Sequence, residues 1–434
     1  MRRPQIEDAR IARYFDSVIG PELRQTRQRK SFAAYALGLL GEGERKSCEP
    51  IAARSAFGVD DEDRAKQAEQ AQDRLLHFLG RSPWDDEAVR LAAARYAIDA
   101  FEKIEPVTTW TIDDTGFPKQ GTHSVGVQRQ YSGTLGKVGN CQIGVSLCVA
   151  TTTEQLPIDF ELYLPEKWTS DDARRAEVGI PADLVFRTKT ELAIEMIRRA
   201  KRHGIPGDVV LADAAYGNSL EFREAIRSEG LDYGVAIQAS TRVWMLDSKG
   251  RRREEPVHVD ELAELVGRTA FRRVTWRDGT KAKMSSKFCF RRVKVEQPDG
   301  HTTATREPVW LLMEWPDGED KPGKFLLTTL PRRMSKKRIV RTLKERWRTE
   351  QAYQEMKGEL GLDHFEGRSF RGWHHHVSVV LSCYAFVVAE RRRLFPPSDA
   401  TTGGGALRSA AGAALRGFVR DDSPRDCAGH AAMA

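Results

Sequence analysis

Three acidic residues, Asp114, Asp213 and Glu350, have the types and positions in this 434-residue chain that suit metal chemistry. Asp114 and Asp213 each end a predicted strand and are followed by small or turn-forming residues. Strand ends in an α/β sheet open onto the crevice where ligands bind, so both carboxylates can face one site. Glu350 can join them from a later helix. Converging carboxylates repel one another unless a hard cation lies among them, and oxygen ligands suit Mg²⁺ or Mn²⁺.

Two such ions would activate a water molecule or a 3′-hydroxyl on one side of a phosphodiester and stabilise the leaving oxygen on the other.

Glu350 has a second interpretation, as a residue of a solvent-exposed helix face. No Gly or Pro interrupts residues 335–357, so we predict one continuous helix there. Arg346, Glu350, Tyr353 and Lys357 then share a face, which is also typical of a solvent-exposed helix with ion pairs.

The sequence pattern of the first hundred residues predicts helices throughout. Apolar positions recur at helical spacing over 11–18 and 31–40, and charged amphipathic stretches follow at 60–78 and 83–101. Residues 1–30 hold eight Lys or Arg against four Asp or Glu. We therefore predict an N-terminal helical domain over residues 1–103 that binds DNA, with a purely structural subdomain as the alternative.

From residue 104 the pattern changes to strands alternating with helices, which predicts an α/β core over 104–237 and 331–393. Between these two parts, residues 238–330 contain short strand patterns separated by Gly and Pro, so we predict a β-rich insertion. Its window 242–294 holds fifteen Lys or Arg against seven Asp or Glu. Residues 394–434 are rich in Ala and Gly and poor in large apolar side chains, which predicts a disordered tail.

The composition favours a polyanionic partner. The formal net charge is +7 and the pI is near 9.0. The sequence has no apolar run long enough to span a membrane and no secretion signal, so we expect no membrane partner and a cytoplasmic location. Six cysteines without CxxC spacing predict reduced thiols.

Three motifs carry a resemblance to a known family. Asp113-Asp114-Thr115-Gly116-Phe117, then Ala212-Asp213-Ala214-Ala215-Tyr216-Gly217, and finally Arg346-Trp347-x-x-Glu350 with Lys357 occur in this order. They resemble bacterial insertion-sequence transposases of the DDE superfamily, in the branch with the glutamate signature Tyr-x2-Arg-x3-Glu-x6-Lys. The resemblance covers about residues 10–393. It implies an RNase H-like mixed sheet flanked by helices and interrupted by the insertion.

The resemblance also implies residue roles. Asp114, Asp213 and Glu350 would be the catalytic acids that bind two Mg²⁺ or Mn²⁺ ions. Arg346 and Lys357 would contact DNA phosphates, and Trp347 would lie near a displaced base. This chain departs from the signature at Leu343, where the family has tyrosine. A phenolic contact to DNA is therefore missing from the expected site.

The predicted function is that of a DNA transposase. It would bind the terminal inverted repeats of its element as a homo-oligomer on double-stranded DNA, cleave phosphodiesters, and transfer the 3′ ends to target DNA. It would be associated with the bacterial nucleoid when bound to DNA. Two alternatives stay open: a degenerate DNA-binding protein without catalysis, and a metal-dependent nuclease without strand transfer.

Overall fold

The computed structural model describes residues 4–55, 61–247, 249–252, 255–278, 283–296, 305 and 307–394. Beyond Leu394, the predicted tail lies outside the described residues. No helix in the described part of the chain is both long enough and apolar enough to cross a membrane.

The described N-terminal region is helical. Its helices are α1 Pro4–Tyr14, α2 Thr26–Leu40, α3 Cys48–Ser55, α4 Asp61–Gly80 and α5 Asp86–Glu102. A π-helical turn and a 3-10 turn continue α1, over Phe15–Ile19 and Gly20–Glu22. α5 begins where Asp85 accepts a hydrogen bond from the backbone N–H of Ala88, an N-cap that satisfies one free donor of the first turn.

Strands and helices alternate through the next part of the chain, as the sequence pattern predicts. The elements are β1 Thr109–Pro118, β2 Gln128–Ser132, β3 Lys137–Ala150, β4 Gln155–Tyr163, α6 Glu166–Thr169, α7 Asp172–Val178, α8 Lys189–Arg202, β5 Val209–Ala212, α9 Ala214–Gly217, α10 Leu220–Ser228 and β6 Asp232–Ile237. The hairpin strand β2 was not among the predicted strands.

The remaining elements begin with a series of short strands. These are β7 Arg242–Met245, β8 Val257–His258, α11 Val259–Val266, β9 Arg272–Asp278, β10 Lys283–Val295, β11 Val309–Trp315 and β12 Lys324–Thr328. Three helices follow: α12 Lys336–Leu343, α13 Trp347–Leu360 and α14 Phe370–Leu394.

All twelve of these strands belong to one mixed sheet. Its main path runs β2-β3-β1-β5-β6-β12-β11-β10-β7-β8, while β4 pairs with β3 and β9 pairs with β10. β1, β5 and β6 are parallel, and the other pairs are antiparallel. The strands of the β-rich stretch therefore continue the core sheet through the β6–β12 pairing, with Val235 opposite Leu327. A mixed sheet flanked by helices is consistent with the RNase H-like fold.

The prediction of one continuous helix over residues 335–357 is wrong, because the helix is interrupted. A 3-10 turn at Lys344–Arg346 separates α12 from α13. The side chains here are held in different directions: Leu343 is buried against the sheet, while Lys344 pairs with Glu314 at 2.6 Å. Arg346 turns towards Asp113. These tertiary contacts override a sequence whose helix propensity is uninterrupted.

α14 is the central helix of the helical layer. It packs against α2, α4, α5, α13 and β4, and most of its side chains are buried. The adjacent His374, His375 and His376 are all buried. Tertiary packing encloses the whole turn, so none of the three side chains faces solvent. Their ring nitrogens contact backbone carbonyls at 2.8–3.2 Å.

Candidate active site

The two adjacent aspartates of β1 lie at the centre of the core sheet. Side chains alternate along a strand, so Asp113 and Asp114 point to opposite faces. Asp113 is paired in register with Ser146 of β3, and the Ser146 hydroxyl shares a hydrogen bond with the hydroxyl of Tyr353 in α13. The face that carries Asp113 is therefore the face covered by α13.

Asp213 follows β5 directly and caps the short helix α9. Its Oδ1 accepts a hydrogen bond from the backbone N–H of Ala215 at 2.9 Å. The parallel register places Ile112 opposite Ala212. The next residues along the two strands are Asp113 and Asp213, so these two carboxyl groups are neighbours at the sheet's crevice.

Asp113 connects this crevice to the helix of Glu350. Arg346 Nη1 donates to Asp113 Oδ2 at 3.0 Å, and its Nη2 lies 3.7 Å from Glu350 Oε1. Burial raises the pKa of Asp113 to about 7; the Arg346 guanidinium opposes this rise, and the Asp213 and Asp114 carboxylates reinforce it. The Glu350 side chain is 64% exposed. Arg346 therefore bridges a buried acid and an exposed one.

Asp114 has different partners on the other face of β1. Lys189 Nζ, from the first residue of α8, lies 2.9 Å from Asp114 Oδ2, and the Tyr216 hydroxyl donates to the same oxygen at 3.4 Å. Burial first, and then the carboxylates of Asp114, Asp113 and Asp213, raise the pKa of Tyr216 well above its ordinary value. Tyr216 is therefore a neutral hydrogen-bond donor within electrostatic reach of three acids.

The carboxylates supply the oxygen-only donor set that suits Mg²⁺ or Mn²⁺. Burial first, and then the nearby Asp213 and Asp114 carboxylates, raise the pKa of Asp113, and a bound cation would oppose that rise. In the described part of the chain, however, no group of three or more His, Cys, Asp or Glu side chains is arranged to hold a metal ion. Asp114 and Glu350 are instead paired with the side-chain cations of Lys189 and Arg346. The donor chemistry fits a metal, and these ion pairs occupy two of the donors.

The two remaining predicted DNA-binding residues also make contacts within the protein. The Trp347 ring has the guanidinium of Arg277, from β9, 4.4 Å from its centroid and that of Arg348 at 5.8 Å. Lys357 Nζ donates to Thr115 Oγ1 at 2.9 Å and to the Gly116 carbonyl at 2.8 Å. Lys357 thus ties α13 to β1, and a DNA phosphate would have to compete with these acceptors.

Leu343 lies away from the surface where a phenolic contact to DNA was expected. It is 6% exposed and packs with Leu211, Ile339 and Val340. A Cβ atom added to Gly234 of β6 would come within 2.0 Å of Leu343 Cδ2. The leucine that stands in place of the signature tyrosine is therefore a packing residue, and its side chain fits against a glycine of the sheet.

The sequence interpretation did not identify Lys189 and Tyr216. Tyr216 stands three residues after Asp213, in the motif that carried the resemblance, and this was the available signal. The sequence position of Lys189 also contained information about its role. It begins a helix whose N-cap is Thr188, where a positive side chain opposes the helix dipole and so suggests a nearby acid.

The chain is also similar to known proteins. The chain matches a family model described as DDE superfamily endonuclease over residues 19–283, and one described as Transposase DDE domain over residues 183–386. A protein of Microchaete diplosiphon named "Probable transposase for insertion sequence element IS701" is 31% identical over 221 residues. That alignment covers 50% of this chain and 52% of the relative, so the chain spans about half the length of the curated protein it matches.

Proposed function

This chain belongs to the DDE superfamily of endonucleases and insertion-sequence transposases, and on that premise we propose that it is a DNA transposase. It binds the terminal inverted repeats of its own element, cuts phosphodiesters there, and joins the freed 3′ ends to target DNA. The observation that carries this proposal is that Asp113 and Asp213 are neighbours across the β1–β5 pair, on the face covered by the helix of Glu350, where Arg346 contacts both Asp113 and Glu350.

We assign Asp114, Asp213 and Glu350 as the metal-binding acids. Two divalent ions, when bound there, would supply an activated water or 3′-hydroxyl and a stabilised leaving oxygen. The N-cap bond from Ala215 fixes the carboxylate of Asp213, and the Tyr216 hydroxyl orients that of Asp114. Pre-organised ligands of this kind lower the cost of assembling the charged site.

Cationic and aromatic side chains next to these acids are suited to the DNA strand. Arg346 and Lys357 both lie on the α13 side of β1, as their contacts with Asp113 and Thr115 show. We propose that both contact phosphate oxygens when DNA binds. For Lys357 the phosphate would replace a hydroxyl and a carbonyl oxygen, which are weaker acceptors. Trp347, flanked by guanidinium groups, would stack near a displaced base.

A labelled duplex that carries one element end, incubated with the protein and Mg²⁺ or Mn²⁺, tests the proposal. We expect cleavage followed by joining to a target duplex. D114N, D213N and E350Q should each lower the cleavage rate by roughly 10³-fold or more, since a lost ligand removes several kcal/mol of transition-state stabilisation. E221Q, at an exposed position of α10, is the matched control and should cleave normally.

The outcomes separate the alternatives. Absence of cleavage by the folded wild-type protein would contradict the enzymatic proposal, and cleavage without joining would contradict strand transfer. A DNA-binding protein without catalysis is the second candidate. The observation that favours it is that Lys189 and Arg346 neutralise Asp114 and Glu350 within the protein. It predicts retention of inverted-repeat DNA in a binding assay with no product at any Mn²⁺ concentration.

We also propose that the protein acts as a homo-oligomer on paired element ends. Sedimentation of the protein with end-containing duplexes, compared with duplexes of unrelated sequence, measures this assembly. A complex containing one protein and one duplex at every concentration would contradict it.

A further inference from the structure

The stretch that leads into α12 and through it is strongly basic. Residues 321–344 hold nine Lys or Arg and no Asp or Glu. Six of these cations are exposed within ten residues: Arg332, Arg333, Lys336, Lys337, Arg338 and Arg341. In the part of the chain that the structure describes, no acid forms a salt bridge with any of them. The next acid along the chain, Glu345, pairs with Arg348 at 2.9 Å instead.

α12 separates its charged side from its apolar side. At about 100° per residue, Lys337, Arg338 and Arg341 lie on the side opposite the apolar residues. The apolar side packs on the sheet through three side chains that are at most 6% exposed, Ile339, Val340 and Leu343. A helix that lies on a membrane surface needs its apolar side for the lipid, so this packing argues against a lipid partner. The outer face of α12 is therefore suited to a polar, anionic partner.

The positive charges are unfavourable for the helix itself. Its first turn, Lys336–Arg338, contains only cations, whereas the helix dipole favours acids at this end. Lys337 and Arg341 are like charges four residues apart, which destabilises a helix. Before the helix, the Arg332 guanidinium lies close enough to Arg292 of β10 to lower its pKa, after the larger effect of burial. A bound anion would relieve this repulsion.

α12 covers the same face of the sheet as the candidate site. Leu211 of β5 belongs to the apolar cluster beneath α12, and it pairs in register with Thr111 of β1. Thr111 and Asp113 are two residues apart on β1, so they point to the same face. The 3-10 turn Lys344–Arg346 leads from α12 directly to the contact between Arg346 and Asp113. A long partner that lies on α12 can therefore extend to the crevice.

Duplex DNA matches this surface in charge. It carries one phosphate charge about every 1.7 Å along its axis, and Lys and Arg are its usual backbone contacts. We propose that the outer face of α12, with Arg332 and Arg333 of the preceding turn, binds the phosphate backbone of duplex DNA outside the catalytic crevice, irrespective of base sequence. This inference rests on the proposed function, because it takes duplex DNA as the partner.

The salt dependence of DNA binding tests this proposal. Fluorescence anisotropy would measure the affinity for a labelled end duplex and for an unrelated duplex of equal length, between about 50 and 200 mM salt and without divalent metal. In the double variant K337Q/R341Q, the slope of log affinity against log salt should become shallower by about 2, since each lost phosphate contact removes about 0.9. Affinity at low salt should fall roughly tenfold or more, by the same factor for both duplexes.

Three controls separate the loss of charge from a loss of structure. K337R/R341K keeps both charges and should keep the wild-type slope. K201Q/R202Q removes two exposed cations from the last turn of α8 and should also bind as wild type does. Urea unfolding of K337Q/R341Q should show a stability equal to or above that of wild type, because the substitutions remove a like-charge repulsion.

The results distinguish this surface from the function on which it depends. An unchanged slope in K337Q/R341Q, or an equal change in K201Q/R202Q, overturns the role of α12 and leaves the transposase proposal standing. A loss of affinity for the end duplex alone also overturns it, since the contact would then read sequence. Failure of the folded wild-type protein to bind either duplex overturns the proposed function, and this inference with it.

Discussion

The guanidinium group of Arg346 lies 3.0 Å from the carboxylate of Asp113, and this contact ties the start of α13 to the central strand. Asp113 is not among the three predicted ligands. It nevertheless links them, because it neighbours Asp213 across the β1–β5 pair and reaches Glu350 through Arg346. The helix that carries the third acid is therefore positioned by the acid next to the first one.

A double-mutant cycle measures this contact. R346Q should destabilise wild type, since it leaves a buried carboxylate without its cation, and should cost less in the D113N background. We expect a coupling energy of about 1–3 kcal/mol from urea unfolding of the four proteins. Simple additivity of the two single changes would show that the contact contributes nothing.

Comparing D113N with D114N distinguishes the catalytic roles of the two adjacent aspartates. D113N removes a positioning contact, whereas D114N removes a proposed ligand. Cleavage of an end duplex should fall by roughly tenfold or less in D113N, against roughly 10³-fold in D114N, as expected when a ligand is worth several kcal/mol. The reverse order would assign the first metal ligand to Asp113.

Arg90 of α5 is a buried cation between the helical layer and the sheet. It is 4% exposed, lies 3.2 Å from Asp159 of β4, and donates to the Ser378 hydroxyl of α14 at 2.9 Å. It also pairs with Asp86. R90M should lower the free energy of unfolding by about 3 kcal/mol or more, because it leaves buried acids short of a partner.

The matched control for R90M is R198M. Arg198 pairs with Glu229 at 3.4 Å, but this pair is partly exposed, with 48% and 28% of the two side-chain surfaces accessible. Its loss should cost less than about 1 kcal/mol. Similar unfolding energies for the two variants would contradict the assigned role of the buried network.

His376 should make stability depend on pH. It is fully buried, its Nδ1 contacts the Tyr35 hydroxyl at 2.8 Å, and its Nε2 contacts the Leu362 carbonyl at 3.1 Å. Burial lowers its pKa to about 4. The unfolded chain binds this proton more readily, so the contribution is complete above the ordinary histidine pKa and is lost as the pH falls towards 4.

Urea unfolding at pH 7.5 and pH 5.0 measures the effect. His376 should account for about 2 kcal/mol of the stability lost between these two conditions. H376Q cannot take up the proton, so its stability should fall correspondingly less than that of wild type over the same interval. Parallel losses in the two proteins would show that His376 does not titrate in this way.

Restoring the signature tyrosine should harm the protein. Leu343 Cδ2 already approaches Gly234 so closely that a Cβ atom there would lie 2.0 Å away. L343Y therefore overpacks this point and should cost about 1–3 kcal/mol in the free energy of unfolding. L265Y, at a position of α11 that is 67% exposed, should be close to neutral. Wild-type stability with faster cleavage in L343Y would contradict this interpretation.

Much of the fold follows from local patterns in the sequence. The β-branched run before Asp114 and the apolar run before Asp213 predicted two central strands, which the structure confirms as β1 and β5. The prediction that Asp114 ends its strand is wrong, because β1 stays paired with β3 as far as Pro118. The break at Lys344–Arg346 could not be predicted in the same way, because helix propensity there is high throughout. It depends on partners distant in the chain, Glu314 and Asp113.

The site shows the same division between local and long-range information. Spacing and motif placed Asp114, Asp213 and Glu350 in one region, and their roles as ligands stay predictions. The pairing of Asp114 with Lys189 depends on where α8 packs, 75 residues further along the chain. The facing direction of each aspartate depends on the strand register. Neither property has a local signature in the sequence.

The β6–β12 pairing has a practical consequence for dissecting the protein. A fragment that ends after Ile237, or one that deletes residues 238–330, would leave the backbone amide and carbonyl groups of Val235 and its neighbours without their partners in Lys324–Thr328. An open, apolar strand edge of this kind is a template on which copies of the fragment associate. The polypeptide that includes β12 is therefore the smallest one in which this side of the sheet stays closed.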